Sequence, residues 1–322
     1  MRYTACMEKR GKILVTGANG FVGPYLAREL KKRDVDVVGL GYGDSTPELR
    51  ETVAEYIACD LTDETSVKEK IDFSEITAVI HLAGLSSQGQ SFGKPHHTIS
   101  ANAAMAINLF ERALEQEKKP RFVVVSTGAL YDSNQPMPLT EESKIAFNSP
   151  YAISKHVLEN LCDYYRTRGF ETVVVRPFNH TGPGQGPGFL IPDLARQVLE
   201  VGKGGTLKVG NLGTRRDYSD AWDIVKAYAI LATAENLPHT LYNLCSSKSR
   251  SGEEILELIA KAVFGSEDAV STEIDQSRIR PNDPPEIFGN ATRMKEDFDW
   301  QPTIPLEQTI TDYISWLSTR TL

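Results

Sequence analysis

Hydrophobic residues in the first half of the chain form short runs, and these runs alternate with segments whose apolar residues recur at helical spacing. A short apolar run predicts a strand, and helical spacing predicts a helix. Strands that alternate with helices over residues 12–176 predict an α/β fold with a doubly wound parallel sheet. The predicted strands are 12–16, 35–40, 56–59, 77–82, 121–126 and 171–176, and the longest predicted helices are 98–117 and 150–168.

The pattern changes after Arg176. Residues 177–188 are rich in glycine and proline, which predicts a loop that lines a ligand rather than a core strand. Beyond this loop, we expect a smaller C-terminal lobe that is interleaved in sequence with the α/β part. Its pattern predicts helices at 221–234, 252–263 and 306–317, and a strand at 241–244 that rejoins the sheet.

Three glycines follow the first predicted strand at the spacing Gly17-x-x-Gly20-x-x-Gly23, and a helical segment follows them. A strand, a glycine-rich turn and a helix in this order are typical of a dinucleotide site. The glycines allow a tight turn and a close approach of the pyrophosphate, while the helix N-terminus faces the phosphates. The sequence therefore predicts that this turn binds a dinucleotide.

The net charge of −8 argues against nucleic acid and anionic membranes as partners. Any bound phosphate must therefore be held by local arginines or backbone amides. The four cysteines lie far apart without metal-ligand spacing, so we expect neither a disulfide framework nor a metal site. Residues 1–11 are predicted to be a ragged extension, and the chain has no apolar run of 18 residues; we expect a cytoplasmic protein.

Tyr151 is the one tyrosine among the twelve with a lysine four residues later, Lys155. In a helix, four residues rise about 6 Å and place both side chains on one face. A neighbouring ammonium favours the phenolate and lowers a tyrosine pKa from its ordinary value of about 10. Such a tyrosine can exchange a proton with a carbonyl or an alcohol. A solvated surface pair is the alternative for these two residues alone.

Together these motifs resemble the extended short-chain dehydrogenase/reductase family, in its nucleotide-sugar branch. The motifs that carry the resemblance are Thr16-Gly17-x-x-Gly20-Phe21-Val22-Gly23, Asp60-Leu61, His81-Leu82-Ala83-Gly84, Asn102, Ser126-Thr127 and Tyr151-x-x-x-Lys155. The C-terminal half is most similar to the GDP-4-keto-6-deoxy-D-mannose reductases. That similarity lies in residues 176–185, 209–212, 216–220 and 242–246.

The resemblance implies a Rossmann-like domain over 12–176 plus about 217–245, and a nucleotide-sugar-binding lobe over 177–216 and 246–322. It implies that Tyr151 is the acid/base, that Lys155 lowers its pKa and holds the nicotinamide ribose, and that Thr127 hydrogen-bonds the sugar C4 oxygen, with Ser126 as a less favoured substitute. The implied contacts of NADP(H) or NAD(H) are Gly17, Asn19, Gly20, Phe21, Val22, Gly23, Asp60, Leu61, Leu82, Ala83, Gly84, Asn102, Tyr151, Lys155 and Phe178. The implied substrate contacts are Ser87, Thr127, Asn179, Arg196, Arg216, Arg280 and Asp283.

One position separates the activities within the resemblance. Dehydratases of this family carry an acid two residues after the catalytic threonine, and here that residue is Ala129. The resemblance therefore implies reduction of a GDP-4-keto-6-deoxy-hexose, with 4-epimerisation of a nucleotide sugar as the runner-up. A regulatory protein that binds NAD(P) without turnover is a third hypothesis. Relatives form homodimers through the helices at 98–117 and 150–168, so we expect a homodimer.

Three assignments stay open on the sequence. Asp44, in the loop after the second strand, is either a turn residue or an acid for the adenosine ribose, and no arginine stands there, so NAD and NADP are not distinguished. Asp60 either contacts the adenine or caps the helix that begins near Asp63. His81 lies within an apolar strand and is predicted to be a core histidine rather than a catalyst.

Overall fold

The computed structural model describes residues 11–279 and 283–320. The predicted extension at 1–11 therefore lies almost wholly outside the described residues. The strands are β1 (Lys12–Thr16), β2 (Val37–Gly41), β3 (Glu55–Ala58), β4 (Ile76–His81), β5 (Arg121–Val125), β6 (Thr172–Pro177), β7 (Asn179–Thr181), β8 (Thr206–Val209), β9 (Arg215–Asp220), β10 (Leu241–Leu244), β11 (Ser249–Ser251), β12 (Ser271–Ile274) and β13 (Glu286–Ile287).

The helices begin and end close to the predicted positions where a prediction exists. For example, the predicted helix at 98–117 is Pro95–Glu115, with its proline in the first turn, where a missing N–H costs nothing. The helices are α1 (Gly23–Lys32), α2 (Pro47–Arg50), α3 (Glu64–Lys70), α4 (Gln88–Ser91), α5 (Pro95–Glu115), α6 (Pro150–Thr167), α7 (Leu190–Val201), α8 (Ala221–Thr233), α9 (Gly252–Phe264), α10 (Thr292–Phe298) and α11 (Leu306–Ser318).

Among the described residues, seven strands form the main sheet in the order β10-β6-β5-β4-β1-β2-β3. The five neighbouring pairs from β3 to β6 are parallel. The predicted doubly wound α/β fold is confirmed, and β10 rejoins the sheet as expected. In this topology the strand order reverses between β1 and β4, which is where such sheets bind ligands at their carboxyl ends.

The chain divides into two compact units. The first takes the chain up to Ser126 together with Phe147–Val175 and Val225–Leu241, and the second takes Thr127–Ala146, Arg176–Ile224 and Tyr242 onward. The first unit is built around a core in which the Phe110 ring stacks on Phe122 and Tyr165, at centroid distances of 3.9 and 4.1 Å. The functional labels that the sequence suggested for the two parts stay predictions.

The second unit has its own apolar core, formed by α7, α9 and α11 against β8. Two small sheets accompany it: β9 pairs with β7, β11 and β13, and β8 pairs with β12. The region predicted as a loop at 177–188 therefore contains a strand, because Asn179–Thr181 pairs in parallel with Tyr218–Asp220. Among the described residues, no helix has the length and hydropathy needed to cross a bilayer.

Candidate active site

Backbone packing shapes the turn after β1. Gly17 has a φ of +67°, which favours glycine, and a Cβ there would lie 2.9 Å from the Ala83 amide nitrogen. A Cβ on Gly23 would lie 2.2 Å from the Ala18 carbonyl oxygen. The Gly20 N–H donates to the Gly17 carbonyl at 2.9 Å and closes the turn. Two of the three predicted glycines are therefore required by the turn itself.

Helix α1 starts directly after this turn, and no described side chain caps its first amides. Amides at a helix N-terminus carry partial positive charge and bind phosphate groups. The turn, which admits no side chain at Gly17 or Gly23, leaves these amides open to a ligand. The arrangement fits the pyrophosphate of a dinucleotide. Phe21 and Val22 lie in the same turn, where the Phe21 ring packs edge-on against Tyr25 at 5.7 Å.

The turn after β4 is held against the first turn by hydrogen bonds to Thr16. The Ala83 N–H donates to Thr16 Oγ1 at 3.1 Å, and Thr16 Oγ1 lies 2.9 Å from His81 Nδ1. His81 is buried, and burial together with the Lys155 charge lowers its pKa to about 3, so its imidazole is neutral at physiological pH. The predicted core position of His81 is confirmed, although its buried Nε2 has no hydrogen-bond partner among the described residues. The predicted cofactor contacts Leu82, Ala83 and Gly84 lie in this turn.

Asn102 connects that turn to helix α6. Its Oδ1 accepts the Leu85 N–H at 2.8 Å, and its Nδ2 donates to the Leu85 carbonyl at 3.3 Å and to Ser154 Oγ at 2.9 Å. These bonds occupy both ends of a buried amide. The structure therefore assigns Asn102 a role in positioning the Gly84–Leu85 backbone, while its predicted contact with a cofactor stays a prediction.

Tyr151 and Lys155 lie on one face of α6, as predicted. The helix begins where Ser149 Oγ accepts the Ala152 N–H at 3.1 Å. The Lys155 ammonium lies 5.9 Å from the centre of the Tyr151 ring, within the range of a cation–π contact. The same ammonium is buried and donates to the Val125 carbonyl at 2.8 Å. This is not the solvated surface pair that was the alternative.

Burial lowers the pKa of Lys155 to about 8, because the ammonium loses its hydration in the protein interior. At pH 7 the Lys155 side chain is therefore still charged in most molecules. A buried cation near a phenol favours the phenolate more strongly than one in water, since the local dielectric constant is lower. The pair can thus support proton transfer at Tyr151, the chemistry predicted for it.

The Ser126 hydroxyl bonds to a protein side chain, whereas the sequence had suggested it as a substitute contact for the sugar C4 oxygen. Its hydroxyl donates to Glu159 Oε1 at 2.6 Å, and both side chains are buried. Glu159 follows Tyr151 and Lys155 by successive steps of four residues, a spacing that could have identified it as a neighbour on the same helix face. The structure therefore favours Thr127 over Ser126 as the hydroxyl for a substrate.

We expect Ser126→Ala to destabilise the protein without changing its catalytic behaviour. The variant loses one hydrogen bond to a buried carboxylate, which is worth about 1.5–3 kcal/mol. Urea unfolding should show this loss, whereas kcat should stay within about threefold of wild type. A fall in kcat well beyond this threefold range would contradict this assignment.

Thr127 starts the second unit. Its Oγ1 accepts the Ala129 N–H at 3.2 Å and so caps the short 3₁₀ turn Gly128–Leu130. Because the oxygen accepts this bond, the hydroxyl proton is available to a second partner. The Phe178 ring covers the turn, since a Cβ on Gly128 would lie 3.0 Å from it. The predicted contact of Phe178 with a cofactor stays a prediction.

The two adjacent arginines of β9 have different partners. Arg215 forms a salt bridge with Glu254 at 2.6 Å and donates to the Ser249 carbonyl at 3.0 Å. Arg216 instead pairs with Asp283 at 2.5 Å, so two of the predicted nucleotide contacts lie together. Arg280 lies outside the described residues, and Arg196 is half-buried on α7.

Asp217, which the sequence interpretation did not single out, is fully buried beside Arg216. Its carboxylate accepts the amide protons of Ser246, Ser247 and Gly289 at 2.7, 3.0 and 3.4 Å, and the Ser246 hydroxyl at 2.7 Å. Its backbone carbonyl accepts from Asn179 Nδ2 at 3.1 Å. Asp217 therefore links the strand that carries Arg216 to β7 and to two loops. In the sequence, Asp217 directly follows Arg216, so in a strand its side chain points to the opposite face; this position could have identified it.

Burial raises the pKa of Asp217 from 3.8 to about 6, against the effect of these hydrogen bonds. The folded protein therefore holds a proton that the unfolded chain releases between about pH 4 and 6. The stabilisation is fully present below about pH 4 and is lost as the pH rises to about 6, roughly 3 kcal/mol in total. We expect Asp217→Asn to remove this slope. Urea unfolding of both proteins from pH 4 to 7 measures it, and parallel pH profiles would contradict it.

Asp60 does not cap α3. Asp63 does so, since its Oδ1 accepts the Thr65 N–H at 3.0 Å. Asp60 Oδ1 instead accepts the backbone N–H and the hydroxyl of Thr62, at 2.9 and 2.7 Å. The capping alternative is therefore wrong, and the adenine contact stays a prediction. Of the other predicted contacts, Leu61 is buried with its carbonyl bonded to Asn108, and Ser87 caps α4.

Comparison with known proteins identifies the relatives of this chain. A GDP-6-deoxy-D-mannose reductase from Pseudomonas aeruginosa is 31% identical over 74% of this chain and 79% of its own length. The structure of RMD from Pseudomonas aeruginosa complexed with NADPH is 27% identical, with a TM-score of 0.79 over 96% of this chain and 99% of that one. The Thermus thermophilus UDP-glucose 4-epimerase complex with NAD is 26% identical, with a TM-score of 0.82 over 96% and 99%.

The family model for GDP-mannose 4,6 dehydratase matches residues 14–313, which is nearly the whole chain. The resemblance that the sequence motifs suggested is thereby confirmed. With a glycine-rich turn suited to a dinucleotide and a Tyr151–Lys155 pair on one helix face, the chain belongs to the GDP-mannose 4,6-dehydratase family, whose members are NAD(P)-dependent enzymes that act on nucleotide sugars.

Proposed function

We propose that the protein reduces the C4 keto group of a GDP-4-keto-6-deoxy-hexose to the alcohol, with NADPH or NADH as reductant. The observation that carries this proposal is Ala129. Its backbone N–H donates to the Thr127 hydroxyl, and its side chain is a methyl group at the position where dehydratases of this family carry the acid that removes the C5 proton. The similarity to a GDP-6-deoxy-D-mannose reductase supports the same reaction.

In this proposal the protein binds, orients and moves a proton, while a bound nicotinamide supplies the hydride. Tyr151 donates its proton to the oxygen that becomes negative at C4, and the buried Lys155 ammonium stabilises the phenolate that remains. Thr127 keeps its proton and donates a hydrogen bond from its hydroxyl to the same oxygen, which polarises the carbonyl. We also propose that Asn179, Arg216 and Asp283 contact the nucleotide and that the substrate is GDP-linked. The proposal further includes a homodimeric, cytoplasmic protein.

The reaction is tested with purified protein, GDP-4-keto-6-deoxy-mannose, and NADPH or NADH. Oxidation of the cofactor should lower the absorbance at 340 nm, and NMR of the product should show a GDP-6-deoxy-hexose. UDP- and dTDP-linked 4-keto sugars serve as controls for the nucleotide. If neither cofactor is consumed, the reductase proposal is wrong.

A 4-epimerase is the second candidate, supported by the likeness to the Thermus thermophilus UDP-glucose 4-epimerase over nearly the whole chain. Epimerisation needs the same threonine, tyrosine and lysine, but it returns the hydride to the sugar and consumes no cofactor. Protein that is purified with bound NAD and interconverts C4 epimers without absorbance change at 340 nm would favour the epimerase.

A further inference from the structure

The end of β2 does not carry the acid that binds the adenosine ribose in NAD-dependent sites of this fold. The strand ends at Gly41, where a Cβ would lie 2.2 Å from Asn19 Oδ1 and 2.5 Å from the Tyr56 hydroxyl oxygen. Gly41 itself has no side chain, so no carboxylate reaches a ribose from this position. A larger residue here would have to displace the ends of the Asn19 and Tyr56 side chains, which donate hydrogen bonds to the following loop.

The loop that follows, residues 42–46, is fixed beside the glycine-rich turn. Asn19, which belongs to that turn, donates from Nδ2 to the Tyr42 carbonyl at 2.9 Å and to the Asp44 carbonyl at 3.4 Å. From the other side, the Tyr56 hydroxyl donates to the Gly43 carbonyl at 3.0 Å. The loop thus has a defined position next to the amides that are suited to the pyrophosphate.

Arg50 extends back over this loop from the end of α2. Its Nε donates to Ser45 Oγ at 2.7 Å, which leaves the two terminal nitrogens of the guanidinium for other partners. The side chain is exposed, and it forms no salt bridge within the described part of the chain. Since Ser45 Oγ accepts from Arg50, its own proton is available to an anion. Arginine and serine so placed form a phosphate site of the kind that an acidic protein requires.

We propose that Ser45 and Arg50 bind the 2′-phosphate of NADPH and make the enzyme prefer NADPH to NADH. This inference rests on the proposed function, which needs a nicotinamide dinucleotide. The loop itself contains no arginine; Arg50 follows the strand by nine residues and returns to the loop through α2. The Asp44 carboxylate is the competing group: it would repel a 2′-phosphate and would accept hydrogen bonds from the ribose hydroxyls of NADH.

The test measures binding of 2′,5′-ADP and 5′-AMP to the full-length protein by calorimetry. These nucleotides differ in the 2′-phosphate alone, and neither requires turnover. Wild type should bind 2′,5′-ADP more tightly by a factor on the order of 10 to 100, the range for charge-assisted hydrogen bonds. Arg50→Gln should lose most of this factor and bind 5′-AMP within about twofold of wild type. Arg28→Gln, at an exposed arginine of α1, is the matched control and should change neither affinity.

Three outcomes would overturn the proposal. Equal or tighter binding of 5′-AMP would assign the loop to a ribose contact by Asp44. Retention of the preference in Arg50→Gln would place the phosphate elsewhere. If neither nucleotide binds, the protein has no adenine dinucleotide site at this turn. The reductase assay separates these from failure of the proposed function: turnover with a lower KM for NADH than for NADPH would refute the 2′-phosphate site alone.

Discussion

Tyr151→Phe is expected to lower kcat by about 10²- to 10⁴-fold, the range that a well-placed general acid contributes. The variant keeps the ring that faces the Lys155 ammonium and removes only the hydroxyl that would donate the proton. Helix α6 should therefore form as before, and the affinity for cofactor should change little. Cofactor oxidation at 340 nm measures the rate, and a titration with NADPH measures the affinity.

Tyr164→Phe is the matched control, because Tyr164 lies on the same helix and is half exposed. Among the described residues, its hydroxyl accepts from Arg168 and its carbonyl accepts from Thr167, both near the helix end. This variant should retain wild-type kcat and KM. Full activity in Tyr151→Phe would show that another group is the acid. A joint loss of activity and NADPH binding would instead assign Tyr151 to the binding of the cofactor.

The rate should fall by about tenfold per pH unit above about pH 8, because the Lys155 ammonium that supports Tyr151 is lost with a pKa of about 8. At pH 10 about one molecule in a hundred would keep the charge, so the expected loss is on the order of 100-fold. The measurement is kcat against pH from 6 to 10 at saturating substrate and cofactor. A flat profile up to pH 10 would contradict the role assigned to Lys155.

Stability provides the control for this profile, since its pH dependence has the opposite sign. The folded-state pKa of Lys155 lies below the ordinary value of 10.5, so the folded protein releases its proton at lower pH than the unfolded chain. The contribution of Lys155 to stability therefore increases as the pH rises from about 8 to 10.5 and is lost as the pH falls. Circular dichroism at each pH should show folded protein where the activity has already decreased.

The pattern of hydrophobic residues predicted the first unit well. The short strands β1, β2, β4, β5 and β6 are mostly buried within a parallel sheet, and such strands are recognisable as continuous apolar runs. Strand β3, at the edge of the sheet, is less buried. The glycine spacing and the Tyr151–Lys155 spacing were also informative, because a turn and one face of a helix depend on residues close in sequence.

The second unit was predicted less completely. Strand β9 has the sequence RRDYSD, so no apolar run marks it, yet it pairs with β7, β11 and β13. Its buried Asp217 is stabilised in place by donors from residues 246, 247 and 289. Helix α7 also escaped prediction, although its buried side chains recur at helical spacing. Short polar strands of this kind form only when distant segments supply their partners, which a local pattern does not reveal.

The sequence by itself determined the α/β class, the glycine-rich turn at Gly17–Gly23 and the pairing of Tyr151 with Lys155, because these depend on local spacing and steric limits of the backbone. Tertiary structure alone decided which polar groups have partners. In the folded chain, Ser126 bonds to Glu159, Arg215 and Arg216 pair with different carboxylates, and Arg50 contacts the loop after β2. The physical reason is that hydrogen bonds and desolvation act through space, between residues whose separation along the chain carries no information about their contact.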